Sequence, residues 1–102
     1  MKYFVVVSSA LENPDLDDAM KAELKEKHLS YIGDAYSSGK LLFNGPKVGA
    51  VGGCLVYKAE SSEDANNFFN NDPHAIAKIR EYSITEFSPL GCQDCLKDWL
   101  EL

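Results

Sequence analysis

The chain opens with the run KYFVVVSS at residues 2–9, which is dense in β-branched and aromatic residues. A run of this kind predicts a buried β-strand. The following segment, Ala10 to Asp15, contains an Asn-Pro-Asp triplet and predicts a loop. We expect a helix from Asp15 or Leu16 to Ser38, ended by Gly39 at the position just past a helix that favours glycine. The first two elements are therefore a strand and a long helix.

Two short strands are predicted next, at Leu41–Phe43 and Cys54–Glu60. The sequence Asn-Gly-Pro closes the first of them, and Gly49 to Gly53 forms a loose connection to the second. The two strands together indicate a β-hairpin with an irregular link.

The second half of the chain begins with a helix signal. Ser61 and Asp64 stand at capping-box spacing, with Asp in place of the usual Glu or Gln. Asp72 followed by Pro73 then predicts a short further helix, with Asp72 as its N-cap. Residues 82–88 alternate between the two sides of a strand and form the last element.

The order β-α-β-β-α-β predicts an α+β fold of the ferredoxin-like type, with a four-stranded antiparallel sheet and its helices on one face. The other face needs a cover, and the simplest cover is a second copy of the chain, so we expect a homodimer. Residues 1–88 form this domain. Residues 89–102 are an extension in which apolar side chains recur at helical spacing, and we expect them to form a short amphipathic helix.

Composition limits the classes of function. A chain of 102 residues suits one domain, and a net charge of −6 argues against nucleic acid and anionic membrane surfaces as partners. No apolar run is long enough to span a membrane, and the start lacks a signal-peptide cleavage pattern. We expect a cytoplasmic protein that acts on a small molecule.

Two residues are candidates for proton transfer. His28 shares a helical stripe with Leu24 and Tyr31, and a histidine can exchange a proton near neutral pH. A carboxylate such as Asp72 can fix its tautomer. Each also has a plain structural reading, as a core-edge histidine and as a helix cap. If the pair is catalytic, we expect His28→Ala and Asp72→Asn to abolish most turnover and to leave stability nearly intact.

Metal and cofactor signals are weak. Cys92 and Cys95 form a lone Cys-x-x-Cys without a second ligand pair, and both lie on the apolar stripe of the extension. Buried packing thiols are the preferred interpretation, with a metal or redox site as the alternative. Neither a Gly-x-Gly-x-x-Gly segment nor a P-loop is present. We expect no cofactor and no metal.

Several segments resemble the YciI-related (YCII) family across residues 1–88. They are Lys2 to Val6, Lys27 to Ile32, Gly39 to Pro46, and Asn71-Asp72-Pro73, in that order. The resemblance implies a dimeric α+β barrel related to muconolactone isomerase. It also implies that His28 and Asp72 form a catalytic pair. Family members with an assigned activity act on small aromatic catabolites, for example as dehydrochlorinases.

The predicted function is therefore cofactor-independent general acid–base catalysis, as an elimination, dehydrochlorination or isomerisation of a small metabolite. The alternative is a non-catalytic ligand-binding or regulatory module of the same fold. Further side chains are candidates for contact with the substrate, although a turn, a surface position or core packing explains each of them as well. These candidates are Asn44, Gly45, Pro46, His74 and Tyr31.

Overall fold

The structure is a computed structural model that describes residues 1–102. It contains four strands, three helices and a short C-terminal extension. In chain order the elements are β1 (Lys2–Ala10), α1 (Asp18–Ser37), β2 (Leu41–Pro46), β3 (Gly53–Ala59), α2 (Ser62–Asn70), α3 (Pro73–Ile76), β4 (Arg80–Phe87), a 3₁₀ turn (Asp94–Leu96) and α4 (Lys97–Leu100). None of the helices combines the length and the apolar character needed to cross a membrane.

The four strands form one antiparallel sheet in the order β2-β3-β1-β4. Strand β1 is central, and its register pairs Phe4 with Tyr57 on one side and with Glu86 on the other. Each half of the chain thus contributes two strands to the same sheet. This arrangement confirms the predicted ferredoxin-like α+β fold.

The core lies between the sheet and the helices. Alternate residues of β1 point toward the helices, and both Phe4 and Val6 are fully buried there. From α2, Phe69 is buried against them. Burying an aromatic or aliphatic side chain of this size stabilises the folded state by about 1.5–3 kcal/mol. The core also includes Ile32, Ala35, Leu41, Leu55, Tyr57, Ala59 and Ala65.

The opposite face of the sheet carries only the one-turn helix α4, whose Trp99 packs on Tyr3 at one end of it. Val5 alternates with the buried positions of β1 and is 41% exposed, and Phe43 on β2 is 56% exposed. Val56 of β3 pairs with both of these residues in the sheet register. An apolar stripe therefore crosses three strands on this face, which we call the open sheet face.

Helix α1 begins later than the sequence predicts. The carboxylate of Asp17 accepts a hydrogen bond from the backbone N–H of Met20 at 2.8 Å, so Asp17 is the N-cap. The preceding residues form a turn in which the side chain of Asn13 accepts from the N–H of Asp15 at 3.1 Å. The expected start at Asp15 or Leu16 is wrong because this turn holds those residues outside the helix. At the other end, Gly39 has φ +75°, as predicted.

The apolar stripe predicted for α1 is correct only in its later turns. Leu24, His28 and Tyr31 are half-buried, and the helix is fully buried at Ile32 and Ala35. Met20 would continue the stripe, but it is 44% exposed. The first turns of α1 border an open cleft rather than the packed sheet, so nothing covers that end of the stripe.

The C-terminal extension forms one 3₁₀ turn and one turn of α-helix. Trp99 anchors it: its indole N–H donates to the carbonyl of Gly39 at 2.7 Å, and its ring lies edge-on to Tyr3. The ammonium of Lys58 lies 4.7 Å from the centre of the same ring. Cys95 is exposed, so its interpretation as a buried packing thiol is wrong.

Candidate active site

Asp72 stands at the point where two helices meet, and its side chain is fully buried. It is the N-cap of α3, where Pro73 occupies the first helical position. One carboxylate oxygen, Oδ1, accepts the backbone N–H of His74 at 3.1 Å. Capping therefore satisfies only part of this carboxylate, and the rest of its hydrogen-bonding capacity is directed toward α1 and the sheet.

His28 of α1 reaches this carboxylate. Its Nδ1 lies 2.9 Å from Oδ1 and 2.7 Å from Oδ2 of Asp72. An ionised carboxylate is an acceptor only, so Nδ1 carries the proton and Nε2 of the neutral ring bears the lone pair. The imidazole is 21% exposed and lines the cleft beside α1. Asp72 thus holds His28 in the tautomer that a general base requires.

Tyr82 is a third member of the cluster, and sequence reasoning missed it. Its hydroxyl donates to Oδ2 of Asp72. Burial, and then the adjacent carboxylate of Asp72, raise the pKa of Tyr82, so the phenol remains protonated and donates. The only available signal was that Tyr82 lies on the inward side of β4, which places it under the helices.

The charge on Asp72 follows from these partners. Burial acts to raise the pKa of Asp72, but donors from His28, Tyr82 and the backbone of His74 outweigh it, and the pKa is lowered from 3.8. Asp72 is therefore ionised at neutral pH. A fixed negative charge beside Nδ1 stabilises the imidazolium that forms when Nε2 takes up a proton.

His74 lies against His28 from the other side. The two imidazole rings are stacked, with centroids 4.2 Å apart and planes inclined by 13°. Only 6% of His74 is exposed, so the alternative of a surface residue is wrong. Burial, and then the charge of His28, lower the pKa of His74 to about 4. His74 is a neutral hydrogen-bonding group at pH 7.

His28, His74 and Tyr82 line a cleft with a volume of about 1050 Å³, between α1 and one end of the sheet. Three predicted contact residues, Asn44, Gly45 and Pro46, line it from the end of β2. The remaining lining residues are Ser8, Leu11, Glu12, Asn13, Pro14, Lys21, Ala22, Lys25, Leu29, Val51, Gly52, Gly53, Leu55, Ile79 and Arg80, together with His28, His74 and Tyr82.

The wall of the cleft opposite α1 depends on Gly52. This residue has φ +121°, and a Cβ built on it would lie 2.1 Å from the carbonyl oxygen of Ser8. No other residue fits there without moving the backbone of β1. The next residue, Gly53, donates its N–H to the hydroxyl of Ser8 at 2.7 Å. Sequence reasoning missed Gly52 because the contact joins residues 44 positions apart.

Tyr31 lies outside the cleft lining. Its hydroxyl donates to the backbone carbonyl of Phe68 at 2.8 Å, and its ring stacks on that of Phe68 with centroids 4.6 Å apart. Tyr31 thus joins α1 to α2. The structure assigns it to packing and not to the surface that a ligand would contact.

One cluster of side chains has the composition of a metal site. Ligand atoms of His28, Asp72 and His74 all lie within 4.8 Å of one another. However, Nδ1 of His28 and the Asp72 carboxylate already bond to each other, and the two rings are nearly parallel. The in-plane lone pairs of parallel rings do not converge on one point. The arrangement as it stands fits proton transfer better than metal binding.

The family of the chain is established by comparison. The model of the YCII-related domain matches residues 1–88. The chain belongs to the YCII-related family. The match ends where β4 ends, and confirms the resemblance that the sequence segments carry. No curated protein matches the chain at a significant level.

The solved structures that share the fold of this YCII-related domain include two named enzymes. Muconolactone isomerase superposes with a TM-score of 0.76 at 14% identity, covering 90% of this chain and 94% of that chain. The 5-chloro-2-hydroxyhydroquinone dehydrochlorinase TftG from Burkholderia phenoliruptrix, in complex with 2,5-dihydroxybenzoquinone, superposes with a TM-score of 0.66 at 21% identity. That match covers 83% of this chain and 92% of that chain.

Proposed function

We propose that this protein is a small-molecule lyase or isomerase in which His28 is the general base and Asp72 orients it. One observation carries the proposal: Nδ1 of His28 is held 2.7 Å from a fully buried carboxylate, while its other nitrogen belongs to a ring that lines the cleft. No protein group hydrogen-bonds Nε2, so it is available to a ligand.

The reaction begins with proton abstraction from an acidic carbon or a phenolic hydroxyl. Nε2 of His28 takes the proton, and the electron pair of the broken bond remains on the substrate. The ring becomes an imidazolium, whose charge is balanced by the ionised Asp72. Positioned proton transfer of this kind typically contributes about 10²–10⁴-fold to the rate.

The outcome depends on the substrate. If the substrate carries a leaving group next to the new electron pair, a double bond forms and the group, chloride for example, leaves with its bonding electrons. The proton on Nε2 is then released to solvent. If there is no leaving group, the imidazolium of His28 returns the proton to a different carbon, and the reaction is an isomerisation.

The structural relatives support this class of chemistry. One is named as a dehydrochlorinase and the other as an isomerase, so both chemistries occur on the fold of this chain. The substrate of TftG is a hydroxylated, chlorinated aromatic ring by its name. We propose a small metabolite as the substrate here, with aromatic compounds included, and contacts to it from Asn44, Gly45, Pro46 and His74.

We also propose that two copies pair through the open sheet face. The apolar stripe across Val5, Phe43 and Val56 has no helix over it, and exposed apolar surface of this kind is a typical interaction site. A second copy would cover it and leave the cleft accessible, because the cleft lies at the helix side of the sheet.

The experiment is an assay of the purified protein with 5-chloro-2-hydroxyhydroquinone and muconolactone. Chloride release and absorbance are followed for the wild type, His28→Gln and Lys27→Met, the last as a control on the solvent side of α1. We expect turnover in the wild type and the control, and its loss in His28→Gln. Turnover that survives in His28→Gln would contradict the proposed base. Binding of these compounds without turnover would support the alternative, a ligand-binding module.

A further inference from the structure

The charge of the cleft is opposite to that of the chain. The protein as a whole has 16 acidic and 10 basic residues. The cleft, in contrast, is lined by the cations Lys21, Lys25 and Arg80 and by a single carboxylate, that of Glu12. The ionised Asp72, buried beside the cleft, adds a second negative charge, so three cations still outnumber two carboxylates. The ligand surface is therefore electropositive on an acidic protein.

The cations of the cleft are not held by carboxylates of the protein. Lys27, on the solvent side of α1, pairs with Glu23 at 3.4 Å. No such ion pair exists for Lys21, Lys25 or Arg80. Surface lysines gain little from ion pairs, so this difference by itself is modest. It becomes informative because the unpaired cations are the ones that face the cleft.

Arg80 is the most informative of the three. Its side chain is half-buried, and its guanidinium donates to the carbonyl of Ile79 at 2.8 Å. A guanidinium offers five donors in a planar fork, which matches a carboxylate in a bidentate manner. Arg80 also lies close enough for its charge to act to lower the pKa of His74 and Tyr82. Its positive charge thus acts on residues of the proposed catalytic cluster.

The other two cations, Lys21 and Lys25, lie on the same face of helix α1 as His28. Lys21, Lys25 and His28 are separated by four and three residues, which places them on one face of the helix. With a rise of about 1.5 Å per residue, Lys25 lies about 4.5 Å along the axis from His28, and Lys21 about 10.5 Å. A negative group held near Lys25 would therefore lie within the length of a small molecule from Nε2.

Apolar side chains also line the cleft. Leu11, Ala22, Leu29, Val51 and Ile79 contribute hydrocarbon surface around the cations. An inorganic anion would leave this surface in contact with water. An organic acid would cover it with its carbon body while its charged end meets the basic groups.

We infer that the ligand of this cleft is a small organic acid, whose carboxylate is bound by Arg80 and Lys25 and whose reactive carbon thereby faces His28. The inference rests on the proposed function, since it names the substrate class of the same site. In this arrangement Arg80 and Lys25 determine specificity, because they distinguish an acid from a neutral molecule of the same shape.

The test compares benzoate with benzamide, which have similar shapes and differ in charge. Each is titrated into the ¹⁵N-labelled wild type, and backbone amide shifts of Gly52, Gly53 and His74 are recorded. We expect saturable shifts with benzoate and binding of benzamide that is weaker by about tenfold or more, as befits loss of a charged hydrogen bond. Equal binding of the two probes, or no saturable shift with benzoate, would overturn the inference.

Single variants test which of the cations binds the carboxylate of benzoate. Arg80→Met and Lys25→Met should each weaken benzoate binding by about fivefold or more and leave benzamide unchanged. Arg80→Lys keeps the positive charge and loses the planar guanidinium. Its affinity for benzoate should lie between that of Arg80→Met and that of the wild type. Lys27→Met is the matched control and should bind benzoate like the wild type. Unchanged benzoate binding in both Met variants at the cleft would overturn the assignment.

Binding and turnover also separate this inference from the proposed function. His28→Gln should bind benzoate with the selectivity of the wild type, although it lacks the base. If both probes bind equally and turnover requires His28, the organic acid is refuted as the ligand, but His28 stands as the general base. If binding is selective for the charged probe and turnover does not require His28, the organic acid is supported as the ligand and His28 is refuted as the base.

Discussion

The imidazole rings of His28 and His74 lie face to face, with centroids 4.2 Å apart. Two positive charges at this separation would repel, and burial already disfavours a charge on His74. The stack therefore divides the two histidines by role. His28, which has Asp72 as its counter-ion, can accept the proton, and His74 remains neutral beside it as a hydrogen-bonding wall of the cleft.

The lowered pKa of His74 predicts how stability depends on pH. Its pKa is about 4 in the folded protein against an ordinary value of 6.5. Between these values the unfolded chain binds a proton that the folded chain does not, so the free energy of unfolding decreases as the pH falls through this window. The decrease should total roughly 2–3 kcal/mol.

Urea unfolding of the wild type and of His74→Gln between pH 7 and pH 4 measures this contribution. Gln remains neutral throughout, so its stability should change less over the window than that of the wild type. The other titrating groups are common to both proteins and cancel in the difference. Parallel pH profiles for the two proteins would show that His74 is protonated as readily in the folded state as in the unfolded chain.

Replacement of His28 and of Asp72 should separate activity from stability. Both His28→Gln and Asp72→Asn should reduce turnover by about 10²–10⁴-fold. The sequence alone predicts nearly intact stability for each, but Asp72 is fully buried and accepts three donors. Asp72→Asn turns one acceptor into a donor that faces other donors, so a loss of about 1–3 kcal/mol in unfolding free energy is expected for it.

Thermal and urea unfolding of the two variants check this difference. His28 is partly exposed, so His28→Gln should retain most of the stability of the wild type, and it is the cleaner probe of catalysis. If Asp72→Asn proved as stable as the wild type and fully active, both the cap and the orienting role would be contradicted.

The elements, and His28 and Asp72 as separate candidates, could be predicted from local patterns. An N-cap aspartate before proline and a histidine on a helical stripe are visible within a few residues, and the strand order follows from the sequence of elements. The contact between His28 and Asp72 spans 44 positions. Only the resemblance to a family indicated that the two would meet, because no local pattern encodes a contact between separate helices.

The features of the site that sequence reasoning missed depend on long-range packing. Tyr82 reaches Asp72 because β4 pairs with β1 in a register that places its inward face below α3. Arg80 reaches the cleft for the same reason. The burial of His74 follows from its stack on a residue of another helix, so a position that reads as exposed in the sequence is buried in the fold.

Tyr82→Phe tests the third donor to Asp72. The phenyl ring keeps the packing of Tyr82 on Phe69, where the ring centroids lie 5.0 Å apart, and removes only the hydroxyl. Loss of this donor should raise the pKa of Asp72 and reduce the free energy of unfolding by about 1 kcal/mol. Carboxyl ¹³C NMR reports the pKa directly, and Tyr36→Phe, which alters an exposed hydroxyl, is the control. An unchanged Asp72 pKa in Tyr82→Phe would mean that the hydroxyl does not stabilise the carboxylate.

The last prediction concerns the open sheet face. If a second copy covers Val5, then Val5→Asp would bury a carboxylate in an apolar interface and should convert the dimer to a monomer. Sedimentation velocity should give twice the chain mass of 11.3 kDa for the wild type and the chain mass for the variant. Ile76→Asp is the matched control, because Ile76 is 64% exposed on α3, at the helix side of the sheet. This control should remain dimeric, whereas a wild type that sediments as a monomer at micromolar concentration would contradict the pairing.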